Sequence, residues 1–254
     1  MQIIRMKQKF SLAVIFIACM VIYNGCSSTK RISKEEKPNV KVETKPKLNV
    51  IKNNDFEERN FIKSQSIQSI DKIEFDYNFW GKLGSPQKLS QIKYSPDGFM
   101  TETVFFTKDG KPDQRYDYEY DKNGMRIATV RYNGEGMADK AFKYEYNKYG
   151  NKIKALRYSM SGKLEKYYLY NYDANGNLVE ELWYDVSGKL EYKINYFYDV
   201  SGRKTEADSY NPDGDKIGKS IYKYDAKGNI IEEDRYKDDD GSPSTVIQYV
   251  YKYY

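Results

Sequence analysis

The side chains of this 254-residue chain that could carry out acid–base chemistry are almost all carboxylates. The sequence contains no His, and its two cysteines, Cys19 and Cys26, lie near the N-terminus. Residue inventory therefore excludes imidazole bases, Cys–His nucleophiles, His-ligated metals and thiolate metal clusters. We expect neither a metal site nor a cofactor.

Three carboxylates, Glu180, Glu206 and Glu232, recur at intervals of 26 residues. Two such groups could hydrolyse a glycosidic bond, so a carboxylate-dependent glycan-acting enzyme is one hypothesis. Their regular recurrence is more typical of a scaffold than of a unique site. The favoured prediction is a non-enzymatic protein with no catalytic residues, and the enzyme is the alternative.

Large aromatic residues break the pattern of the surrounding sequence at Trp80, Trp183 and Phe197. Neighbouring segments have small or polar groups at most of these positions. Exposed aromatic side chains on a sheet can stack on sugars or anchor a protein partner. The three are therefore candidate ligand-binding residues, and local packing or covering of a sheet edge is the other interpretation.

The charge distribution argues against nucleic-acid binding. The formal net charge is +5, but residues 27–66 have ten Lys or Arg against six Asp or Glu, and residues 67–254 have a net charge of −2. A protein that binds the phosphate backbone needs a basic surface on its folded part. We expect no nucleic-acid partner.

The N-terminus has the features of a secretory signal. Basic residues precede an apolar run from about Leu12 to Ile22, which is short for a membrane span. The segment ends in Tyr-Asn-Gly-Cys, with Cys26 last. This ending resembles a bacterial lipoprotein lipobox, which implies cleavage before Cys26 and acylation of that residue. Phe-Ile-Ala-Cys at Cys19 is a rival site, but cleavage there would shorten the apolar run to eight residues. An ordinary secretion signal or an uncleaved anchor is the other interpretation. A multiply acylated Cys would hold the chain stably on a bilayer.

Three segments follow from these features. Residues 1–25 are predicted to be a lipoprotein signal peptide, and residues 26–66 a lipidated Cys followed by a disordered tether, because the stretch is polar and contains Pro but no periodicity. Residues 67–254 are predicted to form a β-repeat domain. The residue after the Cys is Ser27 rather than Asp, which resembles the signal that sorts lipoproteins to the outer membrane in two-membrane bacteria.

Turn-like glycines mark a repeat of 26 residues. They occur from Gly84 to Gly241 with gaps that alternate between 14 and 12 residues, apart from a last gap of 13. Most glycines end a four-residue segment such as Asp-Val-Ser-Gly, which is typical of a type I turn followed by a left-handed Gly. Thirteen such corners predict about fourteen antiparallel strands.

The strand pattern predicts an all-β meander. Strict alternation places Tyr172, Leu182 and Tyr184 on one face together with Glu180, and neither face is then wholly apolar. This mixture favours a largely single-layer sheet that is twisted or coiled, and a steady stagger between strands also allows closure.

The segments YDANGNL, YDVSGRK and YDAKGNI, whose glycines are Gly176, Gly202 and Gly228, resemble the YD repeats of the Rhs family. The resemblance covers most of residues 92–254 and implies a spiralling ribbon of β-hairpins. Bacterial variants of the MORN repeat are the nearest competitor. Neither family implies a particular reaction. The sequence therefore predicts a lipid-anchored cell-envelope protein that binds a protein or glycan partner or has a structural role.

Overall fold

The computed structural model describes residues 54–78, 81–237 and 241–254. One helix precedes fourteen strands. In chain order they are α1 (Asn54–Ser64), β1 (Ile67–Asp76), β2 (Gln87–Tyr94), β3 (Met100–Phe106), β4 (Pro112–Tyr120), β5 (Arg126–Tyr132), β6 (Ala138–Tyr146), β7 (Lys152–Ser159), β8 (Leu164–Tyr172), β9 (Leu178–Asp185), β10 (Leu190–Tyr198), β11 (Lys204–Tyr210), β12 (Lys216–Tyr224), β13 (Ile230–Tyr236) and β14 (Thr245–Tyr253).

The strands form one antiparallel meander that closes into a barrel, because β1 pairs with β2 on one side and β14 on the other. The predicted all-β fold and its fourteen antiparallel strands are confirmed. Fourteen strands spaced about 4.8 Å apart and tilted by about 40° would give a circular backbone section roughly 28 Å across. The interior of an eight-stranded barrel is just wide enough to be filled by side chains, and the interior of this fourteen-stranded barrel is wider.

Corner chemistry follows the predicted turn type. At Asp173 the carboxylate Oδ1 accepts the amides of Asn175 and Asn177, and the Gly176 amide donates to the Asp173 carbonyl. Gly176 has φ of 84°, which suits glycine. The first corner differs from the prediction, because the positive φ lies at Gly81 rather than Gly84.

Each odd-numbered strand from β3 to β13 begins with a β-bulge that reverses the face of its later residues. Tyr172 pairs with Leu178 and Asn171 pairs with Glu180, so Val179 is the extra residue. The prediction that Leu182 and Tyr184 share a face with Tyr172 is therefore wrong. Tyr172 lies on the inner wall, and the two later residues lie on the outer wall.

The apolar core follows the wall of the barrel in three clusters, each formed mainly by neighbouring strands. The first joins α1 to β1, β2, β3 and β14, the second extends over β4 to β9, and the third lies on β10 to β12. Such an arrangement differs from the single contiguous core usual in a globular domain. Partly buried residues such as Tyr118, Leu178 and Ile230 pack against two neighbouring clusters each.

Helix α1 lies against one end of the barrel, which we call the α1 end. Asp55 and Glu57 in its first turn and Lys63 in its last complement the helix dipole. Ile62 is buried in the first core cluster. Residues 54–64 belong to the segment 26–66 that is predicted to be a disordered tether, and they form a helix instead. Within the described parts of the chain, no helix has the length and apolar character needed to cross a membrane.

The backbone of α1 packs directly on a corner glycine. A Cβ at Gly98 would lie 2.2 Å from the Arg59 carbonyl oxygen, and the Arg59 side chain donates to the Gly124 carbonyl oxygen at 3.3 Å. Phe61 reaches the corner at Gly228. The α1 end therefore carries the corners that follow even-numbered strands, and the other corners form the far end.

Candidate binding site in the barrel interior

Tyrosine hydroxyls stabilise the bulges on the inner wall at the α1 end. The Tyr172 hydroxyl donates to the Lys152 carbonyl oxygen at 2.7 Å, and the Tyr198 hydroxyl donates to the Leu178 carbonyl oxygen at 2.8 Å. The same bond recurs at Tyr120, Tyr146, Tyr224 and Tyr251. For all of these residues except Tyr251, which lies in the last strand, the bond gives a physical reason for the Tyr that precedes a corner at the α1 end.

Buried cations lie against the rings of a second inner tyrosine column. The Lys152 ammonium lies 4.4 Å from the centre of the Tyr170 ring, and the Lys204 ammonium lies 4.3 Å from that of Tyr222. Arg126 and Lys72 contact Tyr118 and Tyr249 in the same way. Cation–π contact of this kind contributes about 2 kcal/mol when desolvated.

Carboxylates from α1 face this ring of cations. Asp55 Oδ2 lies 4.0 Å from Arg126 Nη1, and the charges of Arg126, Lys152 and Lys204 all act on Glu58. A cavity of about 20 Å³ separates α1 from the barrel here and is lined in part by Asp55, Glu58 and Arg126. The cavity is large enough for one water molecule.

Two inward glutamates are held by the protein's own donors. Glu181 accepts from Trp183 Nε1 at 2.8 Å and from the Tyr196 hydroxyl at 3.1 Å. Burial raises the pKa of Glu181, against the charge of Lys152. Glu233 accepts from the Tyr249 hydroxyl at 2.8 Å.

Glu233 also pairs with Arg235, whose Nε donates to Oε1 at 2.7 Å. Burial alone would raise the pKa of Glu233, but Arg235 and Lys72 hold that pKa at about 2. For Lys72 burial prevails and lowers the pKa to about 8. We infer that Glu233 stays ionised because it has two cationic neighbours.

Four adjacent inward positions near the far end have small side chains: Ala207, Ser209, Gly218 and Ser220. We call them the inner hollow. Ser209 pairs with Gly218, and Ala207 pairs with Ser220. The equivalent positions in earlier units hold Glu181, Trp183, Tyr192 and Ile194, then Ala155, Arg157, Lys166 and Tyr168, then Thr129, Arg131, Lys140 and Phe142. Only this set lacks a large side chain.

The neighbours of Gly218, Ser209 and Ser220 define the borders of the inner hollow. Among the described atoms, a Cβ at Gly218 would meet only the Tyr236 carbonyl oxygen, at 3.1 Å. Tyr192 borders the hollow on one side and hydrogen-bonds Ser209, and Arg235 pairs directly with Ser220 on the other. With strands about 4.8 Å apart, the distance from β10 to β13 is roughly 14 Å. This width suits a small polar ligand.

The predicted site residues are not brought together. Trp183 points inward, is 8% exposed and packs against Tyr168 and Tyr192. Phe197 lies on the outer wall and is 45% exposed. Trp80 and the lipid-attachment residue Cys26 fall outside the described residues. A ligand-binding role for these aromatic residues stays a prediction.

The recurring glutamates also lie away from the interior. Glu180 and Glu232 are on the outer wall, where Glu180 accepts from Asn171 and Glu232 pairs with Lys223. The inward Glu181 and Glu233 were not singled out, because strict alternation placed them on the other face. One sequence signal could have identified these two glutamates. They stand at the repeat position where earlier units have Thr129 and Ala155. Among the described residues, no group of three or more Asp, Glu, Cys or His is arranged to hold a metal.

Comparison with known proteins gives only distant similarity. No family model and no curated protein matches the chain. A porin-like protein from Bacteroides uniformis is similar with a TM-score of 0.42 and 12% identity, over 74% of this chain and 97% of that one. The Photorhabdus luminescens Tc holotoxin pore gives 0.30 and 15%, over 61% of this chain and 9% of that one.

A DUF1329 family protein from Desulfovibrio piger gives a TM-score of 0.28 and 12% identity, over 79% of this chain and 92% of that one. With TM-scores below 0.5, none of these three structures carries an argument about function. The YD-repeat assignment stays a prediction.

Proposed function

We propose that this protein is a non-enzymatic binding protein of the bacterial cell envelope, anchored by a lipid on Cys26, whose barrel binds a neutral glycan on its inner wall. The observation that carries the proposal is the inner hollow, where four inward positions lack the side chains that fill the other units. Ligand sites are typically concave with a few placed polar groups.

The chemistry around the inner hollow suits sugar hydroxyls. Ser220 donates its hydroxyl to Glu233 at 3.0 Å and Ser209 hydrogen-bonds Tyr192, so both serine oxygens keep lone pairs that can accept from a sugar hydroxyl, and the half-buried Tyr192 presents its ring. Glu233 is already paired with Arg235 at the border and has Lys72 as a second cationic neighbour. Because these charges already have partners within the protein, the site favours a neutral ligand over a strongly charged one.

The outer wall supports attachment through a lipid rather than through the strands. Oppositely charged side chains pair across neighbouring strands there, as in Lys93–Glu102 and Lys223–Glu232. A charge on the lipid-facing side of a membrane strand costs about 2–4 kcal/mol at the midplane for Arg or Lys. These surfaces suit water, and Ser27 favours the outer membrane as the site of anchoring.

A glycan-acting enzyme is the alternative. Glu181 and Glu233 are inward carboxylates whose pKa values are shifted in opposite directions, which is a pattern of acid–base pairs. Their oxygens, however, already accept hydrogen bonds from Trp183, Tyr196, Arg235 and Tyr249. These contacts favour a structural role. Product formation by the wild-type chain that disappears in Glu181→Gln with folding intact would establish the enzyme.

The binding proposal is tested with a glycan array followed by calorimetry on the best oligosaccharide. Ser220→Tyr and Ser209→Arg insert the side chains that other units have at these positions, so the fold should be kept and binding lost. Phe197→Ala is the matched outer-wall control and should bind as wild type. Equal binding by the filled variants would exclude the inner hollow, and loss in Phe197→Ala would move the site to the outer wall.

Attachment is tested separately by mass spectrometry of the mature N-terminus. We expect an acylated Cys26 as the first residue. An unmodified start at any other residue would remove the lipid anchor from the proposal and leave the glycan site untouched.

A further inference from the structure

Arg235, at the border of the inner hollow, has more hydrogen-bond donors than the protein satisfies. Its Nε donates to Glu233 Oε1 at 2.7 Å. Its two terminal nitrogens, Nη1 and Nη2, form no hydrogen bond with the described residues, and the side chain is 23% exposed. A guanidinium group only donates and has no acceptor. The donors on the terminal nitrogens are therefore open to a ligand.

Glu233 fixes the position of this guanidinium. Its Oε1 accepts from Arg235 Nε and, at 3.0 Å, from the hydroxyl of Ser220, which pairs with Arg235 on the neighbouring strand. Its Oε2 accepts from the Tyr249 hydroxyl. Side chains that are held in this way are preorganised, so a ligand does not have to order them.

The guanidinium of Arg235 and the ring of Tyr192 face each other across the inner hollow. Burial raises the pKa of Tyr192, and the charge of Arg235 opposes this effect from the other side of the hollow. Ser209, Gly218 and Ser220 lie between them and are half-buried rather than buried. A ligand in the hollow would therefore have an aromatic ring on one side and hydrogen-bond donors on the other.

The charges around Arg235 are balanced. Arg235 interacts electrostatically with the carboxylates of Glu233 and Glu74 and with the ammonium of Lys72. Two cations thus stand against two carboxylates. A carboxylate on the ligand would disturb this balance, so an uncharged acceptor suits the terminal nitrogens of Arg235 better.

A carbonyl oxygen suits these donors better than a sugar hydroxyl. A hydroxyl that accepts from Arg235 must give its own proton to another acceptor, and both oxygens of Glu233 already accept hydrogen bonds. A carbonyl oxygen has no proton to place. The serine oxygens of the hollow keep lone pairs, which can accept from an N–H group. An amide supplies both groups, the carbonyl for Arg235 and the N–H for a serine.

We propose that Arg235 selects a sugar that carries an acetamido group, such as an N-acetylhexosamine. The carbonyl oxygen would accept from the terminal nitrogens of Arg235, the amide N–H would donate to Ser209 or Ser220, and the sugar would pack on the ring of Tyr192. The inference rests on the glycan site proposed above and adds the chemical group that the site recognises.

Calorimetry with two disaccharides of one backbone tests the proposal. N,N′-diacetylchitobiose and cellobiose are both β-1,4-linked, and the former has acetamido groups where the latter has hydroxyls. We expect diacetylchitobiose to bind at least about tenfold more tightly, because the hydrogen bond from a charged donor to the carbonyl is absent with cellobiose.

Two matched variants assign the preference to Arg235. Arg235→Lys keeps the charge but lacks the planar pair of terminal donors, so the two affinities should come within about twofold of each other. Arg157→Lys changes the equivalent repeat position on β7, away from the hollow, and should keep the wild-type preference. Loss of the preference in Arg157→Lys, or its retention in Arg235→Lys, would overturn the role of Arg235.

The outcomes separate this inference from the glycan site itself. Equal wild-type affinities for the two disaccharides, or tighter binding of digalacturonate, would refute the acetamido preference and leave a glycan site in place. No binding of any glycan on the array would overturn the site and the preference together. If Arg235→Lys does not fold, saturation-transfer NMR on the wild type decides: strong transfer to the acetyl protons supports the proposal, and transfer confined to the sugar-ring protons contradicts it.

Discussion

Glu232 and Glu233 are neighbours in the sequence but lie on opposite walls of the barrel. Glu232 pairs with Lys223 in contact with solvent, whereas Glu233 is buried and accepts from Arg235 and Tyr249. The outer glutamate is repeated at Glu180 and Glu206, and the inner one changes from unit to unit. Regularity therefore marks the scaffold here, and departure from regularity marks the interior.

The two tyrosine columns show the same division. Tyr172 on the inner wall donates its hydroxyl to a bulge carbonyl. Tyr184 on the outer wall stacks on Tyr167 with the ring centres 4.9 Å apart. Both columns repeat every 26 residues, so period alone cannot distinguish a hydrogen-bonding role from a stacking role.

The largest expected effect comes from the adjacent glutamates. We predict that Glu233→Gln lowers the free energy of unfolding at pH 7 by about 3 kcal/mol, because Arg235 and Lys72 lose a buried counter-charge. Glu232→Gln should cost at most about 1 kcal/mol, as solvent-exposed pairs do. Urea denaturation of both variants measures the difference, and equal losses would contradict the division into two walls.

The same glutamate predicts an acid-sensitive stability. The pKa of Glu233 is about 2 in the folded protein against 4.5 unfolded. A carboxylate whose pKa is lower in the folded than in the unfolded protein stabilises the fold at pH values above its unfolded pKa. This contribution of Glu233 is therefore complete above about pH 4.5 and is lost as the pH falls toward 2. Melts between pH 7 and 2 should show a smaller acid dependence in Glu233→Gln than in Glu232→Gln.

A pair of corner glycines tests how α1 is held. Gly98 and Gly110 have φ of 79° and 78°, so alanine adds similar backbone strain of about 1–2 kcal/mol at each. At Gly98 the new Cβ would also meet the Arg59 carbonyl, whereas at Gly110 no atom lies within 4 Å. Gly98→Ala should therefore speed hydrogen exchange in α1, and Gly110→Ala should not. Protection of α1 in both variants would refute the close packing.

A smaller difference is expected between the tyrosine columns. Tyr172→Phe removes a hydroxyl that satisfies the Lys152 carbonyl and should cost about 1 kcal/mol. Tyr184→Phe keeps the ring that stacks on Tyr167 and should be nearly neutral. Thermal melts of the two variants make the comparison, and a larger loss for Tyr184→Phe would reverse the assigned roles.

The smallest effect is a gain. The Tyr118 hydroxyl bonds Thr103 and the Tyr144 hydroxyl bonds Thr129, but at the equivalent place Tyr170 faces Ala155 and its buried hydroxyl has no partner. We predict that Ala155→Ser raises the free energy of unfolding by about 0.5–1 kcal/mol through a new hydrogen bond. Ala207→Ser, at the same position two repeats later, is the matched substitution for comparison. A loss of stability in Ala155→Ser would contradict the prediction.

The glycine period and the Asp-x-x-Gly corners were sufficient to predict fourteen antiparallel strands. They could not predict the faces, because Val179 and its equivalents are extra residues that break strict alternation. Helix α1 was missed because it is short and few of its positions are apolar, and its docking depends on Gly98, which is distant in the sequence. The inner hollow needed the pairing of β11 with β12, which places Ser209 beside Gly218.

The central claim is that the bulges place neighbouring residues of the repeat on opposite walls of the barrel. The most direct test of this claim compares two lysines in one strand. Lys152 and Lys154 would share a face under strict alternation, but the bulge places Lys152 on the inner wall at 8% exposure and Lys154 on the outer wall beside Glu145. Native acetylation followed by mass spectrometry should modify Lys154 at least about ten times faster than Lys152, and urea should equalise the rates. Similar native rates would contradict the account.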